Sequence, residues 1–288
     1  MRHAGMGRRK PCFPFARIKL RATFSFSRNP VTSESVIAQT QDRVLLLRIN
    51  RPDKKNALMD AMYRALGDHI TAADKDPAIR ALVLTGTGDS FTAGNDMVDF
   101  LNQKGTFETT GACYFMRSLL DFRKPALAAV NGMAIGVGTT LLLHCDFAYA
   151  AESATFRMPF VSIGIAPEFS SSYLLPAMLG QRRAAELLFT GEKFDARKAI
   201  ECGLVNAVVP DAECLEHTLA QARKLAAQPP SALRTCKKLL REALRSPSLE
   251  AFDREVAELN QMIRGNPEAM EAMTAFMQKR KPDFSRFS

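Results

Sequence analysis

One carboxylate, Glu168, stands among apolar and small neutral residues in "GIAPEFSSSYLLP" (164–176), with no other charge between Arg157 and Arg182. Pro167, just before it, favours a turn or an extended approach, so the residue could be an ordinary solvated loop acid. It could also be a general base whose proton affinity is raised by apolar walls. Such a base needs a partner that stabilises the charge it creates. Two glycine-bearing turns offer backbone amides for that purpose, "FTAGND" (91–96) and "GMAIGVG" (132–138). In the second, Gly136 and Gly138 let the chain bend at a helix start, where free N–H groups meet the positive end of the dipole. Taken singly, either turn could need its glycines only for packing. Two of them on successive strand–helix units are a natural way to aim two donors at one carbonyl oxygen.

Other chemistries fit less well. "GTGDSF" (86–91) lacks the third glycine of a dinucleotide fingerprint, and the 132–138 cluster has the wrong spacing. His3, His69, His144 and His217 are scattered, with none at ligand spacing from another or from a cysteine, so no metal is expected. His144 lies on an apolar helix and reads as a satisfied core residue. Ser170, Ser171 and Ser172 lack a neighbouring His–Asp pair and read as helix-start caps. Asp146 and Glu152 read as structural or surface acids.

The elements that must position these residues follow from pattern. "RVLLLRIN" (43–50) is a short β-rich run stopped by turn formers, and "IRALVLTGTGDSF" (79–91) and "KPALAAVNG" (124–132) are buried strands. Leu58, Met62, Leu66 and Ile70 recur at helical spacing over 58–76. Residues 92–109 read as loop and polar linker, 110–121 as a helix, and 147–159 as a pair of strand segments. The stretch 184–209 reads helix, turn, helix, strand. Beyond Pro230 the chain reads as helical to its end, with Asn266 as an N-cap and Pro267 at the first helical position. Strands alternating with helices define an α/β domain over 37–230, followed by a helical region over 231–288.

The net charge of +9 is uneven: residues 1–33 hold eight basic residues and no acid. The remainder has 31 basic against 30 acidic residues, which argues against a nucleic-acid-binding surface on the body. Residues 1–36 read as a basic, disordered extension. An organelle transit peptide, non-native sequence from an upstream start and a nucleic-acid-touching arm all fit it. The cytoplasm is the expected compartment, or the mitochondrion if residues 1–33 are a transit peptide. Six cysteines without a CxxC pair fit a reduced protein, and no apolar run reaches the ~18 residues of a membrane span.

Together "LLLRINRPDKKNAL", "RALVLTGTGDSFTAGNDM", "KPALAAVNGMAIGVGTTLLLHCDFAYAAESATFRMP" and "GEKFDARKAIECGLVNAVV" resemble the crotonase superfamily, the enoyl-CoA hydratases and isomerases. The resemblance runs from about residue 43 to 280. It implies a spiral of ββα turns, a C-terminal helical region that builds trimers or hexamers, and a coenzyme A thioester as substrate, with no separate cofactor. By the same resemblance, the oxyanion-binding amides fall on Ala93 and Val137. The coenzyme A loop falls on Lys55, Ala57 and Leu58, with Gly94, Asn95 and Asp96 near the adenine. Phe276 and Lys279 match the residues that close the nucleotide pocket.

Hydratases of this superfamily use two glutamates. At the matching positions this chain has Thr140 and Phe160, which argues against paired acid/base hydration. The segment 154–176 instead resembles the peroxisomal-type Δ3,Δ2-enoyl-CoA isomerases, with a similar "PF" pair and one glutamate, matched by Glu168. Phe169 replaces the glycine usual after it. The resemblance therefore implies isomerisation of 3-enoyl-CoA to trans-2-enoyl-CoA by a single base. A hydratase-like or other crotonase reaction and a non-catalytic acyl-CoA-binding protein remain the alternatives.

Overall fold

The computed structural model describes residues 35–263 and 265–287. Most of the basic N-terminal extension lies outside them. The described chain opens on β1 (Val36–Gln41), which pairs antiparallel with β2 (Val44–Ile49). Val36 is buried and Asn50 N–H donates to Ser35 O, so the folded body begins before residue 37, the expected boundary. β1 escapes a sequence reading because Gln39, Thr40 and Gln41 are exposed on an edge strand.

After β2 come α1 (Asp60–Lys75), β3 (Ala81–Gly86), β4 (Ser90–Thr92), α2 (Met97–Asn102) and α3 (Gly111–Asp121). The 92–109 stretch is therefore not all loop. The Asp96 carboxylate accepts from Val98 N–H and Asp99 N–H and so starts α2, and a short 3-10 turn covers Phe107–Thr109. Next are β5 (Ala126–Val130), β6 (Met133–Ile135), the four-residue α4 (Val137–Thr140), β7 (Phe147–Ala151) and β8 (Thr155–Arg157). The chain continues through α5 (Ser171–Leu179), α6 (Gln181–Thr190), β9 (Phe194–Asp195), α7 (Ala196–Glu201) and β10 (Ala207–Val209). It closes with α8 (Cys214–Ala226), α9 (Pro230–Ile263) and α10 (Pro267–Met277).

Two sheets carry this order: β1-β2-β3-β5-β7-β10, and a shorter β4-β6-β8-β9. Strands β2, β3, β5, β7 and β10 pair in parallel, and β3 and β5 are buried at every residue. A parallel sheet covered on both faces needs such unbroken apolar runs. Each of β3, β5 and β7 is followed at once by a short strand of the second sheet and then by helix or turn. That is the ββα repeat of a crotonase-type spiral, and it delivers the turns after β4, β6 and β8 to one side.

Asn266 accepts from Glu268 N–H and caps α10 as its sequence predicts, but the helix ends at Met277 and the last residues are irregular. The change at residue 230 is one of element type only, since the described residues on both sides of it fall in one compact unit and α9 packs on α5. Among the described residues no helix is long and apolar enough to cross a membrane.

Candidate active site

The turns after β4, β6 and β8 meet at a cavity of about 830 Å³, closed on another side by α9 and α10 through Leu259, Ile263, Ala272 and Phe276. Its walls are largely apolar, with Phe100, Phe107, Met116, Phe160 and Ile165 among them. Two carboxylates line it, Asp96 and Glu168.

Glu168 is only 6% exposed. Thr140 Oγ1 donates to its Oε1, and its Oε2 has no partner among the described residues. Burial raises the carboxyl strongly; the Thr140 hydrogen bond, which favours the ionised form, offsets part of this, and the charge of Glu255 adds to the rise. The result is a pKa of about 8. This is the acid that retains its proton to neutral pH and, once ionised, binds one strongly.

The backbone that presents it is unusual. Phe169 and Ser170 both adopt left-handed conformations, at φ 61° and 59°. A non-glycine residue there costs roughly 1–2 kcal/mol, so the surroundings must hold it. The Phe169 ring stacks on His144 with centroids 4.0 Å apart and meets the Phe115 ring edge-on at 6.1 Å. His144 Nε2–H donates to Phe169 O at 2.6 Å. Burial pushes His144 down to about 3, so the ring is neutral, and the carbonyl requires the proton on Nε2. The expected core role of His144 is thus a specific one. Ser170, Ser171 and Ser172 are not side-chain caps of α5: Ser170 Oγ donates to Ser248 O at 2.9 Å and Ser171 Oγ to Glu168 O at 2.6 Å.

The amides differ from expectation on one side. Ala93 N–H, expected to face a developing oxyanion, donates to Lys55 O at 2.9 Å and is spent in the fold. Gly94 N–H goes to Thr92 Oγ1 at 3.1 Å and Asp96 N–H to Leu58 O at 2.8 Å. Asn95 N–H, between them, has no acceptor among the described residues. An isolated parallel bridge to Leu58 holds Asn95, and its Oδ1 accepts from Tyr63 Oη at 2.5 Å. The bridge explains the switch: Gly94 points its carbonyl and Asp96 its N–H at Leu58, so the Asn95 amide between them points away. Val137 N–H, the first of α4, likewise lacks a protein acceptor among the described residues and lines the cavity. Two close approaches bring these turns together. A Cβ on Gly94 (φ 83°) would fall 2.8 Å from Ile135 O, and one on Gly138 2.6 Å from Thr92 Cγ2.

The remaining predicted residues divide. Lys55, Ala57, Gly94, Asn95, Asp96, Phe160 and Phe276 line the cavity. Lys55 is exposed and pairs with Asp89 at 2.7 Å. Leu58 is buried at 2% exposure and contributes its backbone to the bridge, not its side chain to the wall. The Asp96 carboxylate is occupied by Arg51 at 2.7 Å and by the α2 amides, so it is a structural acid. Lys279 does not line the cavity; Arg280, braced by Glu271 at 2.5 Å, does. The kink at Lys279 (φ 54°) follows the end of α10, which the expected continuous helix could not show. Sequence reasoning missed Thr140 as a hydrogen-bond partner of Glu168, the amide of Asn95 left unpaired among the described residues, and Leu259 and Ile263 as walls. The last two stand four apart on one helix, a signal that also fits plain core packing.

Parallel strands in a ββα spiral, with a cavity bounded by the strand-end turns and the C-terminal helices, define a crotonase-type acyl-thioester enzyme fold. Residues 39–286 match the family described as Enoyl-CoA hydratase/isomerase, and the chain belongs to that family. It is 36% identical over 251 residues to 2,3-dehydroadipyl-CoA hydratase of Escherichia coli (strain K12), covering 86% of this chain and 98% of that protein. It is 34% identical over 254 residues to Enoyl-CoA delta isomerase 2 of Homo sapiens, covering 86% of this chain and 64% of that longer protein. The solved enoyl-CoA hydratase/isomerase of Pseudoalteromonas atlantica T6c superposes with a TM-score of 0.83 at 40% identity, covering 87% of this chain and all of that one. Its relatives thus include both hydratases and isomerases.

Proposed function

We propose that the chain isomerises 3-enoyl-CoA thioesters to trans-2-enoyl-CoA, with Glu168 as the single base. One observation carries this reading. Of the two carboxylates lining the cavity only Glu168 has a free oxygen, and the group beside it is the Thr140 hydroxyl, which stands where the resemblance puts one of the two hydratase glutamates. Asp96, the other carboxylate, is tied to Arg51.

Glu168 takes the proton from C2, and the C2–H pair becomes the C1=C2 bond of a dienolate as the carbonyl pair moves onto the thioester oxygen. When that pair returns, C1=C2 becomes C2=C3 and the former C3=C4 pair takes up a proton at C4. The same carboxyl then returns a proton to C4, so no water is consumed and no second acid is needed. Asn95 N–H and Val137 N–H receive the thioester oxygen; one such donor is worth roughly 10²–10³-fold in rate. A pKa of about 8 makes Glu168 a strong base once ionised and keeps it within reach of neutral pH. The coenzyme A moiety runs past Lys55 and the 94–96 turn, with Phe276 at the mouth, and the apolar far end takes the acyl chain. Coenzyme A is part of the substrate, and no separate cofactor is invoked. A homotrimer or hexamer, and a role in fatty acid oxidation, complete the reading.

The test is proton NMR of a 3-enoyl-CoA incubated with the purified protein, beside a parallel sample of 2-enoyl-CoA. Conversion of the first to trans-2-enoyl-CoA supports the proposal. Accumulation of 3-hydroxyacyl-CoA from the second as the main reaction replaces it with hydration. Tight binding without turnover of either replaces it with a silent acyl-CoA-binding protein.

A further inference from the structure

Glu255 is a second buried carboxylate, 5% exposed, and it is outside the cavity lining. It stands on α9, 85 residues along the chain from Ser170. Its Oε2 accepts from Ser170 N–H at 2.6 Å and its Oε1 from Ser172 N–H at 2.8 Å. One carboxylate therefore grips both the left-handed residue next but one to Glu168 and the first turn of α5. The Ser170 hydroxyl adds a bond to Ser248 O on the same helix. A strained turn stays put only where its surroundings over-determine it, and here the restraint is delivered from a distant helix. Leu259 and Ile263, which line the cavity, follow Glu255 at i+4 and i+8, on one face of α9.

We propose that Glu255 is a positioning residue for the base, holding the 169–172 backbone from α9 so that the Glu168 carboxyl is presented to the cavity. The proposal rests on the reading of Glu168 as the base. It differs from simple structural support because Glu255 is also the charged neighbour that Glu168 feels. The groups around the pair can be named. Tyr63 on α1 faces Glu168, its phenol held well above the usual range by burial first and the Glu168 charge second. Thr140 donates from α4, His144 beneath Phe169 is neutral, and Arg254 on α9 acts on Glu255.

Two variants of the full chain separate position from charge. Glu255→Asp keeps the charge but withdraws the oxygens by one methylene. It should lower kcat for 3-enoyl-CoA isomerisation about tenfold or more, since small misplacements of a reacting group are costly, with KM within about twofold. Glu255→Gln removes the charge and can accept only one of the two amides. In ¹³C-glutamate-labelled protein, the Glu168 carboxyl resonance should then titrate at a lower pH than in the wild type. Circular dichroism and the melting temperature show whether each chain is folded. A folded Glu255→Asp chain as fast as the wild type, where Glu168→Gln is inactive, overturns the proposal. An unmoved Glu168 midpoint in folded Glu255→Gln overturns it too. If Glu168→Gln itself keeps full isomerisation, the base reading falls instead, and the midpoint alone decides whether α9 governs that carboxyl.

Discussion

The turn over residues 93–96 is held by neighbours in its own backbone network. Ala93 N–H goes to Lys55 O, Leu58 N–H to Gly94 O and Asp96 N–H to Leu58 O, and only Asn95 N–H is left over. The turn over 168–172 has almost no such ladder. Its restraints are side chains from elsewhere: Thr140 on the carboxyl, His144 on Phe169, and Glu255 on the amides of Ser170 and Ser172. The first turn offers a fixed dipole, which works best when nothing moves. In the proposed reaction the second offers a proton acceptor whose affinity must be tuned, and side chains that donate, exclude water or carry charge can tune it. Under that proposal a rigid donor is built from backbone and a tuned base from side chains.

Breaking the second turn at its functional end should have the largest effect. Glu168→Gln keeps shape but cannot accept a proton, and isomerisation should fall by at least ~10²-fold, while calorimetry finds thioester affinity nearly unchanged. Wild type run in heavy water should carry deuterium at C4 in part of its product.

Breaking the first turn should cost fold and rate together. Gly94→Ala places a Cβ 2.8 Å from Ile135 O at φ 83°, so it should destabilise by roughly 1–3 kcal/mol, the range for a backbone forced out of its region. Urea melts and turnover should both report the loss, whereas the pH dependence of the remaining activity should keep its shape.

Thr140→Val should do the reverse, leaving the fold and moving the pH profile. Sequence comparison alone makes Thr140 a bystander, but its hydroxyl favours ionised Glu168. Without it the acidic limb of kcat/KM should rise above about 8, giving a loss of about tenfold near pH 7, one pKa unit's worth, that is recovered at higher pH.

The smallest effect is on stability. Glu168 is raised from an ordinary 4.5 to about 8, so the folded state holds a proton that the unfolded state has released. Its contribution is complete below pH 4.5, declines as pH rises, and is gone above about 8. Glu255, raised by burial to about 7, adds to the same decline. Melting curves of Glu168→Gln across this window should fall less steeply than those of the wild type.

Some of this is visible in one dimension. Apolar runs mark β3 and β5, because a doubly covered parallel strand has no solvated face to interrupt it. Asn266–Pro267 marks the start of α10 through capping chemistry that spans only a few residues. The exposed edge strand β1, the short α2 that hangs on Asp96, and the end of α10 leave weaker traces, because each depends on contacts beyond a local window.

The isolation of Glu168 in the chain and the two glycine turns are likewise local facts, and they were enough to nominate a base and a pair of amides. Which amide of the 93–96 turn is left over depends on its isolated bridge to Leu58, a long-range pairing that sequence spacing does not display. Ala93 and Asn95 are equivalent candidates until that register is known. That Phe169 can occupy a left-handed conformation follows only from the His144 ring stacked against it and the Glu255 carboxylate behind it. The residue types alone determined that this chain could hold a proton-transfer site; long-range packing decided which atoms are free to act in it, because a donor or acceptor is available only when no neighbour has already taken it.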